Sequence, residues 1–558
     1  MQISFKEWTR KGNPWIWLNA GAVSISLIAV IGLMLLIMAR GLVHFWPHSL
    51  LQADYVLEGK DPIPVIGEIA QREDIPTEQL KAAGYPVKPE EDFMSRILLK
   101  TGNRDVFGGD FRWVLEDALK NVSYPESLVS LERREWGNYY GYLVSYKNHG
   151  TVVATSKDDE SKVWNALLAG IQRAESLNGQ IKAIEKGDIG KVNYDLERLR
   201  LKEKRLELEN RATDLALAEI EAERKALHDE YDHLQGQLAV LYTEIGRDAV
   251  VMRAMTGQES EIAVSKIVRA FQPNRMSLFE KISHYVMKLG EFVGDDPREA
   301  NTEGGVFPAI YGTVLMVIIM SIIVTPFGVI AAVYLREYAT QGALTQTIRI
   351  AVNNLAGVPS IVYGVFGLGF FVYFLGGNID KLFYPEALPS PTFGTGGLMW
   401  ASITLAILTL PVVIVATEEG LARIPRSIRE GSLALGATKA ETLWRVVLPM
   451  ASPAMMTGMI LAIARAAGEV APLMLVGVVK LAPSLPLDGN YPYLHLDQKF
   501  MHLGFHIYDV GFQSPNVEAA RPLVYATSLL LVMVIALLNL AAVGIRNHLR
   551  EKYKALEM

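Results

Sequence analysis

Ile424-Pro-Arg-Ser-Ile-Arg-Glu-Gly-Ser-Leu-Ala-Leu-Gly-Ala-Thr-Lys-Ala-Glu-Thr-Leu-Trp-Arg-Val-Val-Leu-Pro449 is the stretch on which the fold of this chain turns. It reads as two short helices joined by a tight turn. Pro425 suits a first helical position, where no amide donor is needed. Gly436 suits the left-handed residue that closes a helix. Thr438 followed by Glu441 forms the S/T-x-x-E capping box of the next helix, and Pro449 bars that helix from continuing unchanged. Arg426, Arg429, Lys439 and Arg445, with Arg423 just before them, make the stretch basic, and long apolar runs flank it on both sides. A compact basic helix pair between two apolar runs is what a membrane protein would present to a soluble motor.

Working outward, six stretches reach the roughly 20 apolar residues that a bilayer core of about 30 Å requires. They are 16–39, 307–335, 350–375, 398–417, 453–478 and 523–545. The predicted class is an all-α polytopic membrane protein with six transmembrane helices. The first run exceeds the core of a secretory signal and lacks an A-x-A cleavage pattern, so it reads as an anchor. Basic residues set the orientation: Lys6, Arg10 and Lys11 precede the first run, Arg336 and Arg349 separate the second from the third, and Arg546, Arg550, Lys552 and Lys554 follow the last. With the basic loop 418–449 they share one face, the cytoplasm, placing both termini (1–15 and 546–558) there. The opposite loops, 376–397 and 479–522, carry only Lys381, Lys480, Lys499 and Arg521. By the same parity, residues 40–306 lie outside, in the periplasm of a cell with an outer membrane.

Half of the residues are apolar and the net charge is only -6, yet the distribution is uneven, because 40–306 is polar and rich in turn residues. Short alternating runs such as Tyr139–Val144 and Thr151–Ala154 predict a small mixed α+β domain over 50–155. From 160 to 246 the composition predicts a helical hairpin or coiled coil. Leu217, Ile220, Leu227, Tyr231, Leu234, Leu238, Leu241 and Ile245 follow alternating spacings of three and four, interrupted at Arg224. A helix over 192–246 would reach roughly 80 Å. A preceding helix, set off by Gly187 and Gly190, would fold back on it, giving a hairpin that projects from the membrane. It serves either as a solvated spacer or packing arm, or as a docking arm for a partner subunit or extracytoplasmic protein. The absence of cysteine excludes disulfides and thiolate chemistry, and no spacing of His, Asp or Glu suggests a metal site.

Within the fifth apolar run, Arg465 and Glu469 stand four residues apart, on one helical face, in Gly458-Met-Ile-Leu-Ala-Ile-Ala-Arg-Ala-Ala-Gly-Glu-Val-Ala-Pro472. Charges at membrane depth cost several kcal/mol unless paired or wetted. Ala464, Ala467 and Gly468 admit a neighbouring helix, and Pro472 predicts a bend. The pair is a candidate substrate pathway, with Arg465 contacting an anion and Glu469 holding it; the alternative is a structural clasp. Asn353 and Asn354 read as helix-to-helix hydrogen bonds, and Pro326, Pro359 and Pro411 as kinks. No G-x-x-x-x-G-K-[ST] occurs, so ATP has no phosphate loop here and no cofactor is expected on this chain. No catalytic residue is expected either, and nothing points to nucleic acid.

The central loop resembles the EAA signature of ABC importer permeases in Glu430, Gly436, Val446 and Leu448-Pro449, with Gly431 and Ser432 where that family usually has alanines, both small, so that close helix packing is preserved. Asn301-Thr-Glu-Gly-Gly305, Thr325-Pro-Phe-Gly328, Val358-Pro-Ser-Ile361 and the segment 461–472 resemble the A-type permease of the phosphate-specific ABC transport system. The resemblance covers about 300–550 and the first span; 50–295 is an addition to it. It implies an ABC type I importer core (MetI-like) over 307–545 in a bacterial inner membrane. Glu430, Gly431, Ser432, Gly436, Val446, Leu448 and Pro449 would then dock an ATP-binding subunit. The implied partners are a C-type permease subunit, two ATP-binding subunits that hydrolyse ATP, a periplasmic phosphate-binding protein and inorganic phosphate. Residue chemistry alone reaches only a small anion or polar solute. A permease for sulfate, molybdate or phosphonate therefore stays open, as does a signalling or scaffolding protein that works through its outer coiled coil.

Overall fold

A computed structural model describes residues 13–57, 61–82, 92–514 and 517–553. Lys6, Arg10, Lys11 and Lys554 therefore lie outside the described residues. Six helices among them are long and apolar enough to cross a membrane: Trp15–Val43, Phe307–Tyr338, Ser360–Phe383, Leu398–Arg423, Lys439–Gly468 and Ala520–Glu551. We number them spans 1 to 6.

Span 4 is the centre of the bundle, with two thirds of its apolar window (67%) buried between spans 2 and 5. Small residues let these helices approach where no hydrophobic drive separates protein from lipid. A Cβ on Gly328 of span 2 would come within 2.6 Å of Val413, and one on Gly458 of span 5 within 2.7 Å of Ala416. Ser402, Thr404 and Thr409 of span 4 return their hydroxyls to carbonyls four residues back, so the buried helix carries no orphan hydroxyl at these positions. Span 1 is peripheral, with none of its apolar window buried. It leans on span 6 at Gly41, where an added Cβ would come within 3.0 Å of the Ala526 backbone.

Two spans depart from the sequence expectation. Residues 350–375 do not form one helix. Ala343–Leu355 is a separate amphipathic helix, the chain breaks over Gly357-Val358-Pro359, and span 3 begins at Ser360. Proline disfavours helical geometry in the residue before it, which makes Pro359 a boundary here, whereas Pro326 and Pro411 sit inside continuous helices. Asn353 and Asn354 fall on the separate helix and make no side-chain hydrogen bond among the described residues. Span 5 is the second departure. It ends at Gly468 rather than near 478, and Leu473–Val476 forms a separate turn of helix.

Between spans 1 and 2 the chain forms two antiparallel sheets. The first contains β1 (Leu50–Tyr55), β2 (Ile63–Pro76), β3 (Phe93–Lys100), β4 (Phe111–Leu115) and β5 (Leu119–Ser123), in the order β4-β3-β2-β1-β5. The second contains β6 (Leu128–Arg133), β7 (Tyr139–Asn148), β8 (Thr151–Thr155), β9 (Asp248–Arg253), β10 (Glu259–Ala263) and β11 (Ile267–Phe271). Its order is β10-β9-β7-β6-β11, with β8 also on β7. The mixed region thus does not close at 155, because β9, β10 and β11 complete its second sheet after the helices. β9 pairs with β7 and β11 with β6, 100 or more residues earlier, and β10 adds to β9, a register that local alternation does not specify.

The helices between β8 and β9 form a hairpin inserted into that sheet. Its reversal lies at 209–213, not at Gly187 and Gly190. Glu160–Lys182 continues through a wide turn, Ala183–Asp188, into Ile189–Leu208, and Asp214–Ile245 returns. A single glycine is tolerated in a helix for about 1 kcal/mol, and here the wide turn contains Gly187 while Gly190 sits in the first turn of the helix that follows. Ile220, Leu234, Leu238 and Ile245 of the apolar seam are buried. Arg224, which interrupts the seam, pairs with Glu203 on the opposite helix. The hairpin does not project freely. Arg205 Nε donates to Glu386 Oε1 at 3.0 Å, Lys204 Nζ reaches the Leu388 carbonyl at 2.6 Å, and Tyr194 donates to the Tyr491 carbonyl. It therefore rests on the loops that follow spans 3 and 5.

Candidate functional site

The loop between spans 4 and 5 is a helix pair. Arg426–Ala434 forms the first helix, with Pro425 as its N-cap rather than its first helical residue. Gly436 then adopts φ +89°, a conformation that costs a side-chain-bearing residue about 1–3 kcal/mol. Thr438 and Glu441 make the reciprocal hydrogen bonds of a capping box. The second helix runs without interruption from Lys439 into span 5. Pro449 is accommodated by a wide turn at Leu443–Val447, which shifts the hydrogen-bond ladder just where proline removes a donor.

Leu421, Ile424, Leu443, Val447 and Ala451 form the small core under this loop. Val446, Leu448 and Pro449 are half-buried beside it, and Glu430, Gly431 and Gly436 are exposed. Ser432 Oγ lies 2.9 Å from Thr442 Oγ1, so its small size does serve close packing of the two helices. Gly431 does not share that role, since a Cβ there would meet open space.

Two features of the loop escaped the sequence reading. The first is its anchorage. Arg429 donates to the carbonyls of Leu421 and Ile424 and, at 2.8 Å, to the Glu337 carboxylate at the end of span 2. Lys439 donates to the Glu337 carbonyl and lies 4.4 Å over the Tyr338 ring. Both helices are thereby tied to the end of span 2. The second feature is an outward apolar patch: Leu435 is 91% and Trp444 73% exposed, with Leu433 beside them. Trp444 was legible as an aromatic in a basic surface loop; the anchoring of Arg429 was not, because its partner is 92 residues away.

Arg465 and Glu469 are brought together, with Arg465 Nε 3.7 Å from Glu469 Oε1, but not on one continuous helical face. Arg465 stands in the last turn of span 5, where its charge complements the carbonyl end of the helix. Glu469 is already extended. The backbone from Glu469 to Pro472 is non-helical, and such backbone is tolerated at membrane depth where protein or a polar cavity surrounds it. Gly364 of span 3 permits that approach, since a Cβ there would come within 2.7 Å of Pro472 Cα. Both side chains remain partly accessible.

On the side of the loop between spans 4 and 5, Arg349 pairs with Glu418 and donates to the Leu335 carbonyl at 3.1 Å. The pair borders a cavity of about 260 Å³ that Arg336, Asn353 and Glu419 also line. Among the described residues, no group of three or more His, Cys, Asp or Glu has the geometry to hold a metal ion.

The family model described as "Binding-protein-dependent transport system inner membrane component" matches residues 324–555. The phosphate transport system permease protein PstA 1 of Mycobacterium tuberculosis is 36% identical over 247 residues, which cover 44% of this chain and 71% of that protein. The phosphate transport system permease protein PstA of Yersinia pestis is 31% identical over 257 residues, covering 46% of this chain and 77% of that protein. The phosphate transport system permease protein PstC of Xylella fastidiosa is 34% identical over 197 residues, covering 33% and 60%. Among solved structures, an inward-facing MetNI methionine ABC transporter chain gives a TM-score of 0.32 at 19% identity, over 43% of this chain and 94% of that one. With six membrane helices, a capped helix pair between spans 4 and 5, and more than two thirds of PstA-type relatives matched at above 30% identity, the chain belongs to the phosphate transport system permeases of PstA type.

Proposed function

We propose that this chain is one membrane half of an ATP-driven importer of inorganic phosphate. The observation that carries the reading is the loop between spans 4 and 5. Its helix pair carries an outward Leu433, Leu435 and Trp444 patch, and Arg429 and Lys439 fasten it to span 2. An exposed apolar patch on a rigid mount fits a soluble partner, and a mount shared by spans 2, 4 and 5 passes that partner's movement to the bundle. ATP-binding subunits, two in number, occupy this face, and Glu430, Gly431, Ser432, Gly436, Val446, Leu448 and Pro449 form or support the contact. A C-type permease supplies the other half of the pathway. A periplasmic phosphate-binding protein delivers the anion to the opposite face, where residues 40–306 lie.

Arg465 is the pathway cation in this reading. The break after Gly468 leaves its guanidinium at a helix end rather than packed along a helix face, and Glu469 holds it without burying it. One arginine does not separate phosphate from sulfate; phosphate is favoured because phosphate transport is what the relatives' names share.

The experiment is labelled phosphate uptake, with sulfate alongside, in cells lacking the chain and restored with the intact protein or Arg465→Ala. The reading expects phosphate uptake alone to return with the intact chain, and to fail with the variant at equal membrane abundance. Uptake that never depended on the chain would remove the substrate assignment.

A further inference from the structure

A cavity of about 740 Å³ lies where the ends of spans 1 and 6 meet the two sheets. One wall is membrane helix: Ala39, Arg40 and Val43 from span 1, and Arg521, Leu523 and Tyr525 from span 6. The facing wall is sheet, including Glu68, Leu98, Lys100 and Tyr140. Trp46 stands between them, as tryptophan does at a membrane–water boundary. A cavity with one apolar wall at the rim of a lipid-exposed helix and one charged wall in the aqueous domain suits an amphipathic occupant.

The charges lining it sort by pairing. Lys288 is held by Glu132 at 2.7 Å and Glu291 at 3.3 Å. Arg104 pairs with Glu299 and lies 3.7 Å from Asp110, and Lys100 lies 3.5 Å from Glu68. Three groups are left. Arg40, Arg521 and Glu303 make no ion pair among the described residues, and Glu303 Oε2 is buried without a hydrogen-bond partner. Two spare cations at the membrane rim and one spare carboxylate are the complement of a zwitterion that carries a phosphodiester and an amine. The carboxylates on the other wall disfavour free phosphate, which would bring two negative charges and no positive one.

We propose that this cavity binds the headgroup of a zwitterionic phospholipid with a primary amine, its phosphodiester between Arg40 and Arg521 and its ammonium on Glu303. The acyl chains run along span 1, whose apolar side chains are exposed to lipid and which touches the bundle through Gly41 against span 6. Burial, reinforced by Glu132 and Glu299 and partly offset by Lys100 and Arg298, pushes the Glu303 carboxyl up to about 7. The lipid would bridge span 1 to the sheets.

The test is native mass spectrometry of the intact transporter assembly, released from nanodiscs of equal phosphatidylethanolamine and phosphatidylglycerol. The wild type is expected to retain phosphatidylethanolamine over phosphatidylglycerol by roughly tenfold, the scale of one charge-assisted contact. Nanodiscs in which phosphatidylcholine replaces phosphatidylethanolamine are expected to lose most of that preference, since a trimethylated amine has no N–H to donate. Arg40→Gln with Arg521→Gln is expected to lose the retained lipid. Glu303→Gln is expected to keep a lipid and lose the preference for the amine. These last two outcomes are judged in variants whose membrane abundance and unfolding midpoint match the wild type. Equal retention of the two lipids by the wild type, or an unchanged lipid load in the double arginine variant, overturns the proposal. Labelled inorganic phosphate offered to the delipidated assembly separates the two sources of a phosphate group: binding that the arginine pair abolishes would make this a site for the free anion and not for lipid.

Discussion

Arg429 and Glu337 face each other at 2.8 Å, joining the first helix of the coupling loop to the end of span 2 across 92 residues of sequence. Both are largely shielded, with side chains 18% and 13% exposed, and Arg429 also holds the carbonyls of Leu421 and Ile424. A largely buried charge that loses its partner costs roughly 1–3 kcal/mol, more than an exposed pair contributes. The relationship makes the loop a rigid attachment of the bundle rather than a tether.

Arg429→Ala is therefore expected to reduce phosphate uptake by about tenfold, through loss of roughly 1–3 kcal/mol of loop order, while membrane abundance stays near wild type. Glu337→Ala is expected to do the same, and the double variant to lose little more than either alone. Additive losses in that cycle would show that the two residues act separately.

Gly436 tests backbone geometry alone, because its φ of +89° lies where asparagine is tolerated and a β-branched residue is not. Gly436→Asn is expected to keep most uptake and Gly436→Val to lose it. Comparable uptake in the two would refute the strain argument.

Glu132 gives the two-sheet domain an acid limit. Burial raises its pKa, but Lys288, Arg298 and Arg269 outweigh burial and bring the carboxyl down to about 2 from the usual 4.5. A folded-state pKa below the unfolded value contributes stability above about pH 4.5 and loses it as pH falls toward 2. The unfolding midpoint of the intact chain should fall across that window. Glu132→Gln should lower the midpoint at pH 6 and flatten the acid limb; a variant with the wild-type slope would assign that limb to other groups.

Arg205 and Glu386 offer a structural check on the outer hairpin. Glu386 is only 3% exposed, so its carboxylate depends on the hairpin for a counter-charge. The sequence has no cysteine, so Arg205→Cys with Glu386→Cys places the only two thiols in the chain. Oxidation is expected to link them within one chain in native membranes, detected by the mobility shift of the looped product. A hairpin that stood free of the membrane loops would leave both thiols open to alkylation.

Much of the membrane architecture was legible because bilayer thickness converts directly into a length of apolar sequence. Runs near 307, 398 and 523 need no tertiary information. The capping box at Thr438 and the left-handed Gly436 were equally legible, since caps are satisfied within a few residues. Span 3 was misplaced because an amphipathic helix and a membrane helix abut at Pro359, and an apolar average does not register the boundary. The end of span 5 was overrun for a similar reason: Leu473–Val476 is apolar enough to extend the run, although the backbone has already left the helix at Glu469.

By itself, the sequence determined the number of spans, the helix pair in the loop and the juxtaposition of Arg465 with Glu469, all consequences of periodicity, capping and local spacing. Only the tertiary structure decided what those elements touch. It closed the second sheet with β9, β10 and β11 on the far side of a helical hairpin, laid that hairpin on Glu386, fixed the coupling loop to Glu337, and left Arg40, Arg521 and Glu303 as the unpaired charges of one cavity. Each of these is a pairing between residues far apart in sequence. Many partners of suitable charge or register exist along a chain of 558 residues, and only the packed fold selects among them.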